Sequence, residues 1–246
     1  MPRPPTPGML DRIVDAAALI FIAAGYRNAR MEMVAERAEV AVGTLYRYAA
    51  NKEALFELVL RRAFHDPEVG DVELPFQPTE SQGYVEHIWR RLTDVSPFIV
   101  LRNAARTKRP LDPEEEFRHV VEELYDWQSR YWRALKIIER CARDWPELAH
   151  LFYHQFRREL FDLGATYLEK RMRDGWLRAY PDTGVAVRLI GENVAFFAMH
   201  RHTAPDSVME DGVARETVVS VLLNAFVAPE RVPNNQGRKR RSGVER

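Results

Sequence analysis

Apolar residues recur along this chain at spacings of three and four, and polar residues fill the positions between them, which is the mark of amphipathic helices. Leu10, Ile13, Val14, Ala17, Phe21 and Ala24 predict a first helix, opened near Thr6-Pro7 and closed by Gly25. Val34, Ala35 and Ala38 give a short second helix, and Val42 with Leu45 a short third. Asn51 is placed to cap a fourth, with Leu55, Leu58 and Val59 inward up to about His65. The stretch from Asp66-Pro67 to Thr79 carries Gly70, Pro75 and Pro78 and reads as a linker or long loop.

Helical periodicity then resumes between proline-marked breaks. Tyr84, Val85, Ile88, Trp89, Leu92 and Val95 form one stripe, ended at Ser96-Pro97, and Phe98, Leu101 and Ala105 form a short one. Asp112-Pro113-Glu114-Glu115 is an N-cap with a first-turn proline, opening one long helix from Phe117 to Ile138. Another long run spans Glu147 to Asp174 and stops at Gly175. Asp182 opens the run from Val185 to Met199, and Ser207 with Glu210 reads as a capping box before Val213 to Val227. No strand alternation and no internal repeat is present, so the expected fold is all-α with nine to ten helices.

The stretch from Met31 to Phe56 is the most informative. Two short helices that bury small residues against each other leave one face open, and here that face is expected to carry Thr44, Arg47 and Tyr48. Hydroxyls, an aromatic pair and a cation are the side chains that meet phosphate oxygens and base edges. The arrangement reads as a helix-turn-helix whose second helix fits a DNA major groove.

The ordered string Ala38-Glu39-Val40-Ala41-Val42-Gly43-Thr44-Leu45-Tyr46, followed by Lys52 and Leu55, resembles the DNA-binding domain of TetR-family transcriptional repressors. That family's pattern is roughly A-G-V-S-x-G-T-L-Y-x-x-F-x-x-K-x-x-L, and Ala23-Ala24-Gly25-Tyr26 matches its end of helix one. The resemblance covers about the first sixty residues. It implies that Thr44, Tyr46, Tyr48 and Lys52 hold phosphates while Val42, Gly43 and Arg47 face bases. Arg47 can pair two donors with guanine, Val42 can pack on a thymine methyl, and Gly43 lets the backbone come close. Four positions depart from the pattern: Arg30 and Ala41 stand where helix caps are usual, Glu39 where the turn has glycine, and Ala49 where it has Phe. Each missing cap costs about 0.5–2 kcal/mol unless another group takes the free N–H groups. Arg30, beside a helix start, can reach a phosphate that does so. A glycine replaced in the turn implies backbone strain or an altered turn at Glu39.

The resemblance also divides the chain into a helix-turn-helix domain over 1–50, a helical effector-binding and dimerisation domain over 51–230, and a basic tail over 231–246. It implies a homodimer, a palindromic operator on double-stranded DNA, a small-molecule effector that releases it, and no cofactor. The dimer would form on the last two helices, through Val187, Ile190, Val194, Phe197, Val218, Val221 and Leu222, with Gly191, Ala195 and Ala198 allowing close approach. An ordinary intrachain core is the alternative for those faces. Trp89, Phe98, Trp127, Tyr131, Phe152 and Phe156 are candidates to line the effector pocket, with Arg102, His87 or His119 to fix a polar group. For each aromatic taken singly, plain core is the stronger reading.

Charge changes the picture in one respect. The net charge of zero conceals basic ends and an acidic middle: nine Lys/Arg against seven Asp/Glu over 1–62, six against one over 231–246, and 21 against 28 between. That suits a protein touching nucleic acid at one end. The run Arg238-Lys239-Arg240-Arg241 could grip the DNA backbone or be a solvated tail. The single cysteine, Cys141, excludes a disulfide framework and is expected to be a packing residue in a reducing cytoplasm. No signal peptide and no membrane-length apolar run is evident. His150 and His154, four apart, could hold a metal, but lack a third ligand and read as a solvated face, so no metal site is expected. An enzyme is disfavoured because no phosphate loop, dinucleotide fingerprint or H-E-x-x-H is present. A scaffold that kept the helix-turn-helix without binding DNA remains the rival reading.

Overall fold

The computed structural model describes residues 8–78, 81–95, 98–204 and 209–229. The helices are α1 Met9–Asn28, α2 Met31–Arg37, α3 Val42–Leu45, α4 Lys52–Ala63, α5 Ser81–Val95, α6 Ile99–Arg106, α7 Pro113–Arg130, α8 Trp132–Cys141, α9 Pro146–Ala149, α10 Arg157–Asp174, α11 Thr183–Ala198 and α12 Asp211–Phe226. The fold is all-α, and among the described residues only two isolated β-bridges occur, Ala49 with Phe76 and Leu177 with Val227. No described helix is long and apolar enough to cross a membrane. The basic tail, the Ser96-Pro97 break, the Thr6-Pro7 helix start, Ser207 and the His87 side chain lie outside the described residues.

Several helix ends are where the capping residues put them. Asn51 Oδ1 accepts from the Ala54 amide at 2.8 Å, Asp112 from Glu115 at 3.0 Å, and Asp182 from Val185 at 2.8 Å. Gly175 ends α10 in the left-handed conformation, φ 76°. At α12 the helix starts at Asp211 after Glu210, whose side chain makes no capping bond.

Two long runs differ from expectation. The run from Phe117 to Ile138 is two helices, because Tyr131 (φ −106°, ψ 19°) leaves the helical conformation while its ring packs on Phe64, His65 and Trp127. His65 Nε2 lies 3.3 Å from the Arg130 carbonyl oxygen at that break. In the rod from Pro146 to Asp174, residues His150–Phe156 form a π-helical segment; the Arg157 amide donates to the Phe152 carbonyl, five residues back. The stretch after α4 is no loose linker either. Phe76 and Val69 are buried, and the Phe76 backbone bonds Tyr48 O at 2.9 Å and Ala50 N at 3.0 Å.

The first four helices meet the rest through α1 and α4. Residues Ala54 to Leu60 of α4 are buried on every side, as befits a helix enclosed between two layers. Phe21, Tyr26, Phe56 and Trp145 stack across this junction with ring centres 4.8–5.9 Å apart between α1, α4 and the start of α9. Gly25 kinks α1 with φ 80° and ψ 172°, a conformation that only glycine adopts easily. A Cβ there would lie 2.5 Å from Arg140 Nη1 and 2.9 Å from Asp144 Oδ2. Arg140 uses that space to donate to the Ala24 carbonyl at 2.6 Å. Asp144 accepts from the Arg27 amide at 3.3 Å. Elsewhere Arg171, 1% exposed, pairs with Glu116 at 2.7 Å and donates to the Ala104 and Thr107 carbonyls, tying α10 to α7 and the end of α6.

Gly25→Ala should destabilise the protein by about 1–3 kcal/mol, read from a denaturant melt, because the residue would be both strained and overlapped by Arg140. Glu39, held at φ 53°, should behave in the opposite sense. Glu39→Gly is expected to raise stability by about 0.5–1 kcal/mol, the left-handed penalty less glycine's added chain entropy.

Candidate functional site

The helix-turn-helix forms as the pattern requires, with two adjustments. The turn is closed by the Val40 amide on the Ala35 carbonyl at 2.9 Å, and Glu39 supplies the left-handed residue that glycine would give more easily. α3 is four residues of regular helix, extended by turns in which Tyr48 and Ala49 amides donate to the Leu45 carbonyl at 2.8 and 3.0 Å. Leu45 and Tyr48 are buried and anchor the unit from beneath. Neither Arg30 nor Ala41 makes a side-chain capping bond, so the amides at the starts of α2 and α3 have no cap of that kind.

The outer edge of this unit is Gly43, Tyr46 and Arg47, all exposed, with Val42 and Thr44 half-buried and Arg30 exposed beside the start of α2. Tyr46 is 46% exposed. Two expected members of the face are elsewhere. Tyr48 is 3% exposed and points into the core, because it sits three residues after Leu45 and shares its side of the rod. Lys52 is half-buried and turned back to the end of α1, donating from Nζ to the Tyr26 carbonyl at 3.0 Å and the Ala29 carbonyl at 3.3 Å. It also lies 4.6 Å from the centre of the Tyr26 ring. A cation at a helix C-terminus satisfies carbonyls that have no intrahelical partner, so Lys52 serves the fold here.

The body contains a cavity of about 110 Å³ between α7, α8, the π segment, α10 and α11, room for several water molecules. Of the expected aromatics, Trp127, Phe152 and Phe156 line it. Phe98 stands behind them, packed edge-on against Trp127 at 5.1 Å, while Tyr131 and Trp89 are not in the wall. Arg102 is exposed on α6 and outside the cavity, and His119 is an exposed partner of Glu115. The polar groups at the cavity are others: Gln128, Glu139, Arg157, Glu192 and His200. Arg157 is held by Glu192 at 2.6 Å, and Glu139 lies 3.7 Å from Lys136. His200 Nδ1 is 3.0 Å from Lys136 Nζ, and burial pushes its imidazole below the usual histidine range against the opposing pull of Glu139. Gly164 and Gly191 are what let α10 and α11 close around the cavity. A Cβ on Gly164 would be 3.1 Å from Val187, and one on Gly191 2.9 Å from Phe161. Gly191, expected at a dimer contact, instead lets these two helices of one chain meet, and it is with Gly164 the signal in the sequence that could have pointed to this site.

The faces of α11 and α12 also need correction. Val187, Ile190, Val194, Val218 and Leu222 are buried within the chain and Phe197 is half-buried, because those stripes pack on α7, α10 and each other. Of the expected interface set only Val221 is exposed. The outward apolar residues are Val185, Leu189 and Phe196 on α11 with Val213 and Val221 on α12. His150 and His154 have ring centres 5.7 Å apart, but among the described residues no group of three or more metal-ligating side chains forms.

Residues 13–59 match the family model described as bacterial regulatory proteins, tetR family. Over 53 residues the chain is 51% identical to the HTH-type transcriptional repressor KstR of Mycolicibacterium smegmatis, covering 22% of this chain and 26% of that protein. The KstR repressor of Mycobacterium tuberculosis is 49% identical over 53 residues, 22% of this chain and 24% of its own. The aligned stretch thus spans about a quarter of the curated relatives. The fold as a whole is similar to the ketosteroid transcriptional regulator KstR2 of Mycobacterium tuberculosis, with TM-score 0.55 and 14% identity over 92% of this chain and 98% of that one. A bacterial regulatory protein of the tetR family from Rhodococcus RHA1 superposes with TM-score 0.51 at 14% identity, over 92% of this chain and all of that one. The likeness to the tetR family of bacterial regulatory proteins thus lies in the amino-terminal segment, residues 13–59, that carries the helix-turn-helix.

Proposed function

We propose that the chain is a ligand-responsive, cytoplasmic transcriptional regulator that represses by binding a palindromic DNA operator as a homodimer. The observation that carries this is the exposed edge formed by Gly43, Tyr46 and Arg47 on a short rod that Leu45 and Tyr48 anchor from the buried side. Arg47 reads a base, Gly43 admits the backbone, and Val42 adds apolar contact. Tyr46, Thr44 and Arg30 take phosphates. Residues 1–50 act as the reading head and 51–230 as the effector and dimer body.

The outward residues of α11 and α12 support a two-fold dimer, since an isologous helix pair needs an apolar face that the chain itself leaves uncovered. Such a dimer presents two reading rods to successive major grooves. The cavity is the effector site, and α8 connects it to the head. Leu135 and Glu139 border the cavity, and Arg140, the next residue, holds the end of α1. A ligand that prefers one placement of α8 therefore changes the spacing of the heads.

Arg47→Ala should weaken binding to a fragment from upstream of the protein's own gene by about 5–150-fold, the loss of about 1–3 kcal/mol. Lys52→Met should instead lower the melting temperature while the salt dependence of binding stays as in the wild type. Wild-type affinity in Arg47→Ala would sink the assigned reading edge. For the dimer, Phe196→Asp and Leu189→Asp should each shift sedimentation from dimer to monomer; an unchanged sedimentation coefficient in both removes this face from the interface.

A further inference from the structure

The cavity's own chemistry restricts what it can hold, and this restriction rests on the reading of the body as an effector site. Its walls are hydrocarbon: Phe152, Phe156, Leu160 and Ile190 among them. Every charged side chain at its border already has an opposite charge, Arg157 on Glu192 and Glu139 on Lys136. An ionised ligand group seated among these apolar walls would have to displace one of these pairs or stay unpaired there, and both are costly.

Some polar groups of the wall have no such partner, the buried Tyr167 hydroxyl among them. Gln128 is 7% exposed and borders the cavity, and among the described residues its carboxamide makes no hydrogen bond. A carboxamide that meets open space at the cavity with no protein partner is available to whatever enters it. The adjacent residue, Trp127, has its indole Nε1 enclosed in the wall, also without an acceptor. Together they leave this part of α7 short of acceptors. We infer that the cavity takes an uncharged, predominantly hydrocarbon ligand carrying one hydrogen-bond acceptor oxygen, a ketone or ester carbonyl, which receives the N–H of Gln128.

The residues explain why other classes fit less well. A pure hydrocarbon leaves the carboxamide unpaired, and a carboxylate brings a charge for which no free cation waits at the border. Gln128 is thus the specificity group, and the aromatic wall supplies most of the contact area.

Three probes of one shape separate these outcomes: acetophenone, ethylbenzene and benzoate, each titrated into the full-length protein with dissociation constants taken from protein NMR shifts. Acetophenone should bind about fivefold or more tighter than ethylbenzene, the yield of one neutral hydrogen bond, and benzoate weakest. In Gln128→Leu the preference for acetophenone should vanish while ethylbenzene binds as well as before or better. Gln128→Met, of similar volume, should repeat that result. Equal binding of the two neutral probes to the wild type, tightest binding of benzoate, no saturable binding by either neutral probe, or a preference that survives both substitutions overturns the inference. A band shift with operator DNA on the same preparation keeps the two readings apart. DNA binding without the carbonyl preference removes the ligand class alone. The preference without any DNA binding removes the regulatory role.

Discussion

The fold turns on the absence of one methyl group. At Gly25 the chain leaves a gap that the Arg140 guanidinium fills, and from there Arg140 reaches the Ala24 carbonyl at 2.6 Å. Carbonyls at the end of α1 accept from cations supplied by other helices: Ala24 from Arg140 of α8, and Tyr26 and Ala29 from Lys52 of α4. The amino-terminal unit is therefore fastened to the body by directional bonds as well as by the aromatic stack of Phe21, Tyr26, Phe56 and Trp145. Because α8 makes one of these bonds and also borders the cavity, any shift of that helix is felt at both ends.

The same economy of small residues shapes the body. Gly164 and Gly191 allow α10 and α11 to approach until Val187 and Phe161 touch the opposing backbone, and the space left over is the cavity. Its charged border is satisfied within the protein, whereas Gln128 is not. Satisfied charges hold the helices in register, and the unsatisfied amide is the part of the wall with chemistry to offer.

Much of the architecture was legible in the sequence because it is local. Asn51, Asp112 and Asp182 cap the helices they precede, Gly175 ends one, and the string from Ala38 to Tyr46 by itself marks the helix-turn-helix. What the sequence hid is set by tertiary packing. Tyr48 and Lys52 occupy positions whose family role is phosphate contact, yet the rod's phase and the end of α1 draw both inward. On α11 two apolar stripes exist, and composition alone does not say which one faces its own chain. Val187, Ile190 and Val194 are buried, while Val185, Leu189 and Phe196 are outside. Gln128 carried no signal at all, since a glutamine between Trp127 and Ser129 looks like surface until the helix is placed.

The π-helical stretch His150–Phe156 has a consequence for how this rod tolerates change in length. A π turn is an α-helix holding one residue too many, so its flanks keep their phase only because the surplus is absorbed there. Removing a single amino acid from this stretch would leave continuous α-helix with α9 and α10 still facing their present neighbours. The same deletion elsewhere in the rod would swing everything beyond it by about 100° and take the apolar stripe of α10 away from α11. The wall at Phe152 and Phe156 is thus the part of that rod that a one-residue deletion can redraw without unseating the helices around it.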